Sequence, residues 1–510
     1  MTPAPSIKHN VIANYASQIY VMGVRFVMAP VYLAYLGTEA YGLIGFFMMM
    51  SVWFQLLDVG LTPTLARETA RFRGGAVTVD TLRAMIRALE VIFGAVSLGG
   101  VLVIVFSAHF LATHWLKVGR LPVGEVTIAV LLMGIAVPIR WVAGLYRGVI
   151  TGFERQVWNS VYGIVITTFS VVGVLVMFRV AGASPVNFFA FQLAFALVDL
   201  TCVATMTYRL ARRGEGPRLP LSLRPLIANL SFSLVIAFTA TAWIAITQTD
   251  KLILSKVLSL GAYGVFSIAV LGANAINTLV GPFGTALLPR LTKLVAERNE
   301  AEVARLYGRS TQLVCVLVGS VAAVLCFFSE PVLYAWTGKI DLARQAAPIL
   351  SFYVIGNCAV ALYSFPYYMQ YARGRMRLHF IGNSLLLTAY VASVLYVAPR
   401  WGGYGTGAVW ALVNVAYVAL WIPLVHRHVL PAGHWRWMLR DVLSVLAPAF
   451  AVGFLVSRFV PVPRDRWAVA AFLISVGIVL LLVAGLSSSE VRRRVRGVLA
   501  IDSGRRCART

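Results

Sequence analysis

The chain has 510 residues, of which 59% are hydrophobic and only 12% are charged, and its mean hydropathy is +0.81. A water-soluble fold does not carry such a composition, because too few polar side chains remain to cover its surface. A bilayer core about 30 Å thick needs about 20 apolar residues for each helix that crosses it. The composition therefore indicates a membrane protein with a dozen or more spans and excludes large soluble domains.

Apolar runs separated by charged, glycine-containing or proline-containing breaks predict an all-α polytopic membrane protein with about fourteen transmembrane helices. Six helices form a first set, a basic link with three prolines follows, and six more helices form a second set. Two further helices complete the count. The predicted spans lie near residues 11–36, 41–62, 88–112, 125–146, 157–178, 187–208, 229–254, 262–287, 310–333, 346–370, 378–398, 405–425, 442–460 and 467–486.

The distribution of basic residues orients these helices. The chain has a net charge of +25, from 44 Lys and Arg against 19 Asp and Glu. With the N-terminus inside, the predicted inner segments hold 31 Lys and Arg and the predicted outer loops hold 10. This is the positive-inside pattern, so both termini are predicted to be cytoplasmic. The excess charge is then an orientation signal, no nucleic-acid partner is expected, and the arginine-rich tail is expected to contact the anionic inner leaflet.

A shift of 222 residues places landmarks of the first six helices on landmarks of the second six. Tyr41-Gly42 falls on Tyr263-Gly264, Tyr146 falls on Tyr368, and Gly152 falls on Gly374. Because six is even, the two halves share one orientation, and a pseudo-two-fold axis along the membrane normal is expected to relate them. The expected parts are a six-helix lobe over 1–208, a basic cytoplasmic linker over 209–228, a second six-helix lobe over 229–425, two C-terminal helices over 426–486, and a basic cytoplasmic tail over 487–510.

Short motifs add a family resemblance to this layout. They are the end of helix 1 at Pro30 followed by Tyr35-Leu36-Gly37-Thr38-Glu39-Ala40-Tyr41-Gly42, then Leu57-Asp58-Val59-Gly60-Leu61, and Thr249-Asp250-Lys251 followed by Gly261-Ala262-Tyr263-Gly264. With these motifs, roughly the first 420 residues resemble the polysaccharide flippases of bacterial envelopes, in the superfamily shared with multidrug antiporters and the lipid II flippase.

The resemblance implies a transporter of the bacterial inner membrane that moves a polyprenyl-diphosphate-linked oligosaccharide to the outer leaflet by alternating access. The implied partners are this lipid-linked oligosaccharide and membrane lipid, with polysaccharide polymerase machinery as a further candidate. By the same resemblance, two lobes with a cleft between them form the transport path, since rocking of the lobes exposes a central site to each side in turn.

Polar side chains inside the predicted spans give the candidate cavity residues. A charge at the bilayer centre costs about 2.5–3.5 kcal/mol on insertion scales and is expected to face a cavity or a partner. Arg25 is the strongest candidate, and the alternative is that it pairs with a carboxylate such as Asp58. Arg140 lies about two turns from the predicted end of its helix, within snorkelling reach of the interface. Asp199 is expected to pair with a basic residue or to bind a proton. The predicted cavity set is Asn14, Gln18, Arg25 and Tyr32 on one face of helix 1, with Gln55, Asp58, Arg140, Gln192, Asp199, Gln248, Asn274 and Asn357; the coupling candidates are Asp58, Asp199 and Asp250.

Neither catalytic residues nor a cofactor or metal site is expected. The five cysteines form no C-x-x-C pair, and Gly338-Lys339 lacks the upstream glycine of a phosphate-binding loop. Three other readings stay open: a cation-coupled multidrug antiporter of the same fold, a lipid II flippase, and a membrane enzyme that uses lipid-linked sugars. Cationic drugs would favour carboxylates over Arg25, and predicted outer loops of about a dozen residues or fewer leave an enzyme little room to hold donor and acceptor.

Overall fold

The computed structural model describes residues 7–211, 230–430 and 433–494. The predicted linker beyond residue 211 and the predicted tail beyond residue 494 lie outside the described residues. The chain divides into two compact units, Met1–Gly264 and Val265–Thr510. The finer division into lobes, linker and C-terminal helices stays a prediction.

The described chain is helical, and the β-structure in it is limited to an isolated bridge between Lys117 and Ser259. The helices of the first unit are α1 Ile7–Phe54, α2 Leu61–Arg73, α3 Val79–Phe110, α4 Val123–Gly152, α5 Gln156–Val180, α6 Pro185–Leu210 and α7 Leu230–Val257. Helix α8, Leu260–Ala273, begins in the first unit and continues into the second. The second unit contains α9 Ala275–Ala296, α10 Glu300–Phe327, α11 Ser329–Thr337, α12 Ile340–Ala372, α13 Arg377–Ala416, α14 Ile422–Val429, α15 Ser444–Phe459 and α16 Arg466–Ser487.

Eleven helical segments among the described residues are long and apolar enough to cross a membrane. Two of them, Ala13–Asp58 and Arg377–Val429, have 46 and 53 residues, which is enough for two crossings each at about 1.5 Å per residue. Each is interrupted by a glycine with positive φ, Gly37 at 82° and Gly402 at 55°. The all-α polytopic fold is confirmed, and the count of fourteen crossings stays a prediction.

The boundaries differ from the predicted spans where the helices are amphipathic. The second predicted span extends to residue 62, but α1 ends at Phe54 and a 3₁₀ turn over Gln55–Asp58 separates it from α2. Helix α3 begins at Val79 instead of residue 88, and the Thr78 hydroxyl caps its first turn by accepting the Thr81 N–H at 3.3 Å. Hydropathy misses α2 and the first turns of α3, because both carry charged residues on their solvent side.

Helix α4 is the central helix of the first unit. On one side it packs with α2 and α3, where Trp141 stacks on Phe93 with ring centroids 4.1 Å apart. On the other side it packs with α6, through Tyr146 and Val203. The first of these clusters buries Leu65, Leu82, Met85, Ile86, Leu89, Phe93, Trp141, Leu145, Val149 and Ala211. Because α4 is enclosed in this way, polar side chains in its middle face protein rather than bulk solvent.

In the second unit the last two long helices pack against α10. Ala323 of α10 and Phe328 beside it form one buried cluster with Val476 and Leu480 of α16. Phe450 and Val456 of α15 pack on its edge. The C-terminal helix pair is therefore part of the core of the second unit.

Helix ends support the internal repeat. The chain after α2 turns through Gly75 at φ 78° and the chain after α9 turns through Arg298 at φ 56°. The chain after α4 turns through Glu154 at φ 56° and the chain after α12 turns through Gly374 at φ 67°. Each turn closes with the six-residue hydrogen bond of a left-handed helix cap. The same two caps recur in the same order in both halves. By the position of the cap Gly374 is equivalent to Glu154, whereas the shift of 222 residues in the sequence places it on Gly152.

The repeated Tyr-Gly motif has a packing role within the first unit. A Cβ atom added at Gly42 would lie 2.2 Å from the Leu260 carbonyl oxygen, and one added at Gly264 would lie 2.0 Å from the Thr38 carbonyl oxygen. Both distances are to backbone, which cannot move aside as a flexible side chain would. The two equivalent glycines therefore allow α1 and α8 to approach closely, as small residues do between membrane helices.

Candidate functional site

Two polar contacts join α4 to α6, and each links residues 52 positions apart. We call Arg147–Asp199 the shallow pair, because it lies nearer the end of α4 at Gly152. Arg147 Nη2 donates to both Asp199 oxygens, at 2.6 and 2.9 Å. The Tyr162 hydroxyl donates to the same carboxylate at 2.9 Å, and its ring lies 5.5 Å from the guanidinium. Asp199 thus has the basic partner that its depth predicts.

The second contact, Arg140 with Gln192, lies two helical turns deeper, and we call it the deep pair. Arg140 Nη2 donates to Gln192 Oε1 at 2.5 Å, and the guanidinium lies 5.1 Å from the centre of the Phe47 ring. Since α4 continues to Gly152, Arg140 is about 18 Å from the helix end at 1.5 Å per residue. Arg140 therefore lies farther from the helix end than the two turns that the predicted span gives, because the helix continues beyond its apolar run, and its side chain hydrogen-bonds to α6.

Arg25 and Tyr32 of α1 belong to the same group as the deep pair. The charge on Arg140 lies within electrostatic range of Asp199, Arg25 and Tyr32. Within residues 7–211, 230–430 and 433–494, no carboxylate forms an ion pair with Arg25 or Arg140. Asp199 is already bonded to Arg147. Arg140 therefore presents a guanidinium charge whose neighbouring carboxylate is occupied, with the charge of Arg25 in electrostatic range of it.

Two further polar residues, Asn14 and Gln18, lie on the same face of α1 as Arg25 and Tyr32. Gln18 Nε2 donates to Asn14 Oδ1 at 3.2 Å, one turn apart on the helix. Tyr32 packs edge-on against Phe178 and Phe188, with ring centroids 6.3 and 5.3 Å away. Aromatic packing holds the Tyr32 ring, and the Tyr32 side chain lies within electrostatic range of Arg140.

Asp58 lies at a helix cap. Its carboxylate accepts the Thr62 N–H at 3.0 Å and the Thr62 hydroxyl at 2.7 Å, which caps the start of α2. The hypothesis that Asp58 neutralises Arg25 is wrong, because the described residues give Arg25 no such ion pair and the turn at Gln55–Asp58 directs the carboxylate into α2. Gln55 is exposed on that turn.

Two further residues of the predicted set lie on α7. Asp250 is buried and forms an ion pair with Lys251, whose Nζ lies 3.1 Å from Oδ1. Gln248 is half-buried, one turn earlier than Lys251. Each of the three coupling candidates, Asp58, Asp199 and Asp250, therefore has a partner in the structure.

The second unit contributes two of the predicted cavity residues. Asn357 is buried, donates to the Ala273 carbonyl at 2.9 Å and accepts from Trp410 Nε1 at 3.1 Å. These bonds join α12 to α8 and α13. Asn274 accepts a long hydrogen bond of 3.5 Å from Asn277. Asn357 therefore has a helix-packing role, with both ends of its amide satisfied.

Three groups of the first unit are not among the predicted site residues. Arg147 falls just outside the predicted span 125–146, although its spacing of seven from Arg140 places both on one helical face. Glu90 of α3 accepts from the Tyr146 hydroxyl at 2.6 Å and the Tyr208 hydroxyl at 2.8 Å. Tyr162 carries no sequence signal of its own. The spacing of seven, repeated in Gln192 and Asp199, was the signal that could have paired the two helices.

The arrangement suits an anionic ligand. Arg25 and Arg140 offer planar forks that match the oxygen spacing of phosphate groups. Gln192 and Tyr32 add neutral hydrogen-bonding groups beside them. The site therefore has the charge and the donors to hold a phosphate-bearing molecule without a metal ion.

Comparisons with known proteins agree with this fold. A match to the family described as polysaccharide biosynthesis protein covers residues 7–295. A Shigella flexneri protein named "Putative O-antigen transporter" is 20% identical over 390 residues, which is 74% of this chain and 87% of that protein. The structure is similar to a lipid II flippase, MurJ, in an inward closed conformation, with a TM-score of 0.70, 13% identity, and coverage of 94% of this chain and 98% of the other.

A multidrug resistance transporter of the MATE family, in an inward-facing conformation, gives a TM-score of 0.61 at 13% identity. That match covers 82% of this chain and 95% of the transporter. Both solved structures show a similarity of fold alone. Because the family match spans more than half of the sequence, the chain belongs to the polysaccharide biosynthesis protein family.

Proposed function

We propose that this protein flips a polyprenyl-diphosphate-linked oligosaccharide from the cytoplasmic to the outer leaflet of the bacterial inner membrane, for surface polysaccharide assembly. The observation that carries the proposal is the pair of guanidiniums, Arg25 and Arg140, that lack ion-pair partners among the described residues. A diphosphate head carries the charges that would neutralise them. The family and the O-antigen transporter relative support the same class of cargo.

The alternative within the same fold is a cation-coupled multidrug antiporter. A cationic drug would be repelled by Arg25 and Arg140, and the carboxylate nearest to them is bonded to Arg147. Like charges held together at a binding site cost several kcal/mol. The charge of the site therefore favours an anionic cargo.

Neutralisation of the head also affects the electrical work of transport. A charge that crosses the membrane potential gains or costs about 2.3 kcal/mol per 100 mV. If Arg25 and Arg140 balance the diphosphate, the loaded step moves little net charge. The membrane potential then acts on the return of the empty cationic site towards the negative interior.

The orientation of the protein is part of the proposal. The bias of Lys and Arg supports cytoplasmic N- and C-termini and an inner-membrane location. The proposed partners are the lipid-linked oligosaccharide, surrounding membrane lipid, and the machinery that polymerises the sugar on the outer side.

A deletion strain tests the function directly. We expect the lipid-linked oligosaccharide to accumulate on the cytoplasmic leaflet. In intact spheroplasts, a membrane-impermeant enzyme that cleaves this oligosaccharide should therefore not reach it. One surface polysaccharide should be lost, and sensitivity to cationic dyes should stay unchanged. Restoration by the wild-type gene is the control.

Two other results would replace the proposal. Sensitivity to cationic dyes with the polysaccharide intact would establish the antiporter. Cell lysis with accumulation of lipid II would establish a role in cell-wall assembly.

A further inference from the structure

The second unit contains a polar cavity that is separate from the group around Arg25 and Arg140. Its volume is about 460 Å³. Its walls come from the first turns of α10, from the π-helical segment Trp437–Leu443 before α15, and from residues 489–493 after α16. All three belong to the end of the second unit that carries many arginines, which the positive-inside pattern places in the cytoplasm.

Buried Gln312 joins the three walls. Its Nε2 donates to Asp441 Oδ1 at 2.8 Å and to Ser489 Oγ at 3.1 Å. Its Oε1 accepts the Ser488 hydroxyl at 2.9 Å and the Glu490 N–H at 3.1 Å. The side-chain amide of Gln312 therefore connects the three segments that line the cavity.

The lining carries more positive than negative charge. Five arginines line the cavity against two carboxylates, Asp441 and Glu490. Arg309 and Arg493 share Glu490, at 3.4 and 2.5 Å. The lining residues are Ala301, Ala304, Arg305, Tyr307, Gly308, Arg309, Gln312, Leu430, Arg436, Trp437, Arg440, Asp441, Ser489, Glu490 and Arg493.

Arg436 and Arg440 are one helical turn apart in this lining. In the described parts of the chain, neither guanidinium has a hydrogen bond or an ion pair. Two like charges four residues apart on a helix repel each other. Asp441, the carboxylate beside them, accepts its hydrogen bond from Gln312. Asp441 also lies within electrostatic range of both arginines without forming an ion pair with either. The cavity therefore offers a ligand two guanidiniums that share a single carboxylate.

We infer that this cavity binds a phosphate-bearing anion, with Arg436 and Arg440 as its principal contacts. Guanidinium forks match phosphate oxygens, and basic pockets at the cytoplasmic ends of membrane helices take anionic lipid headgroups. A headgroup reaches the cavity from the inner leaflet, and a soluble phosphate reaches it from the cytoplasm. In both cases the ligand bridges α10, the π-helical segment and the C-terminal turn. The site is independent of the proposed transport cargo.

The test uses the purified full-length protein in a neutral detergent, with ligand binding measured by native mass spectrometry. One arm adds phosphatidylglycerol and, as the uncharged-headgroup comparison, phosphatidylcholine with the same acyl chains. The other arm adds sodium pyrophosphate. The variants are Arg436→Gln/Arg440→Gln and, as a control of equal charge change outside the cavity, Arg375→Gln/Arg377→Gln.

We expect Arg436→Gln/Arg440→Gln to weaken binding of phosphatidylglycerol or pyrophosphate by at least about tenfold, and Arg375→Gln/Arg377→Gln to change it by less than about twofold. Loss in the lipid arm identifies a headgroup as the ligand, and loss in the pyrophosphate arm alone identifies a soluble phosphate. Arg436→Lys/Arg440→Lys should bind with intermediate affinity, because it keeps the charge and loses the fork. Equal binding by the wild type and both Gln variants in both arms would overturn the inference.

Discussion

The deep pair and the shallow pair place the same residue type, arginine, at equivalent positions on α4, but α6 supplies a different partner to each arginine. Arg147 meets the carboxylate of Asp199, with Tyr162 as a further donor to it. Arg140 meets the neutral amide of Gln192. A carboxylate neutralises its arginine, whereas an amide orients the guanidinium and leaves its charge available. The comparison indicates that the shallow pair stabilises the helix packing and the deep pair is available to a ligand.

The largest effect is expected from making the deep pair resemble the shallow one. Gln192→Glu places a carboxylate on Arg140 and removes the charge offered to the diphosphate. Because a like charge beside the ligand costs several kcal/mol, transport should fall about a hundredfold. Surface polysaccharide in the complemented deletion strain, at equal protein level, measures the effect.

Gln192→Met is the matched control for that substitution, since it has similar size and no charge. It should lower transport by about tenfold or less. If Gln192→Glu transports as well as the wild type, the deep pair is not the ligand site.

The next-largest effect is expected from breaking the shallow pair, and it is a loss of folding stability. Asp199→Asn leaves Arg147 with an uncompensated charge, and the unfolding free energy should fall by about 1–2 kcal/mol. The loss stays below that of a wholly buried pair, because 31% of the Arg147 side chain is exposed. Thermal unfolding in detergent, followed by a dye that reacts with the buried thiols of Cys315 and Cys358, measures it.

The double variant Arg147→Gln/Asp199→Asn should recover part of that stability, since the unpaired charge is gone. A transport defect in Asp199→Asn at full stability and normal abundance would contradict the assignment of this pair to packing.

The smallest effect is expected at Tyr162. Tyr162→Phe removes one hydrogen bond to Asp199 and keeps the ring beside Arg147, so stability should fall by about 1 kcal/mol. Transport should stay within about twofold of the wild type. A larger loss of transport than of stability would place Tyr162 in the ligand site.

The fold was predictable from the sequence because its signals are local. Long apolar runs located the helices, and the repeated Tyr41-Gly42 and Tyr263-Gly264 marked glycines that the packing of α1 on α8 requires. Amphipathic α2 was not predictable in this way, since hydropathy averages its polar and apolar faces.

The candidate site was predictable in part. Arg25 and Arg140 carry a charge in an apolar run, which a sequence reveals. The partner of each charge depends on distances between helices that the sequence does not contain. Asp58 is the clearest example, because a short 3₁₀ turn, invisible to periodicity, directs its carboxylate to Thr62 instead of Arg25.

The central claim is that Arg25 acts on the cargo, and a substitution series at this residue tests it most directly. Arg25→Lys keeps the charge and loses the planar fork, and Arg25→Ala loses both. Transport at equal abundance is expected to fall in the order wild type, Lys, Ala, with Ala at least about tenfold below the wild type. Asp58→Asn should not rescue Arg25→Ala, since Asp58 caps α2. Equal transport by all three proteins, or recovery of Arg25→Ala by Asp58→Asn, would contradict the account.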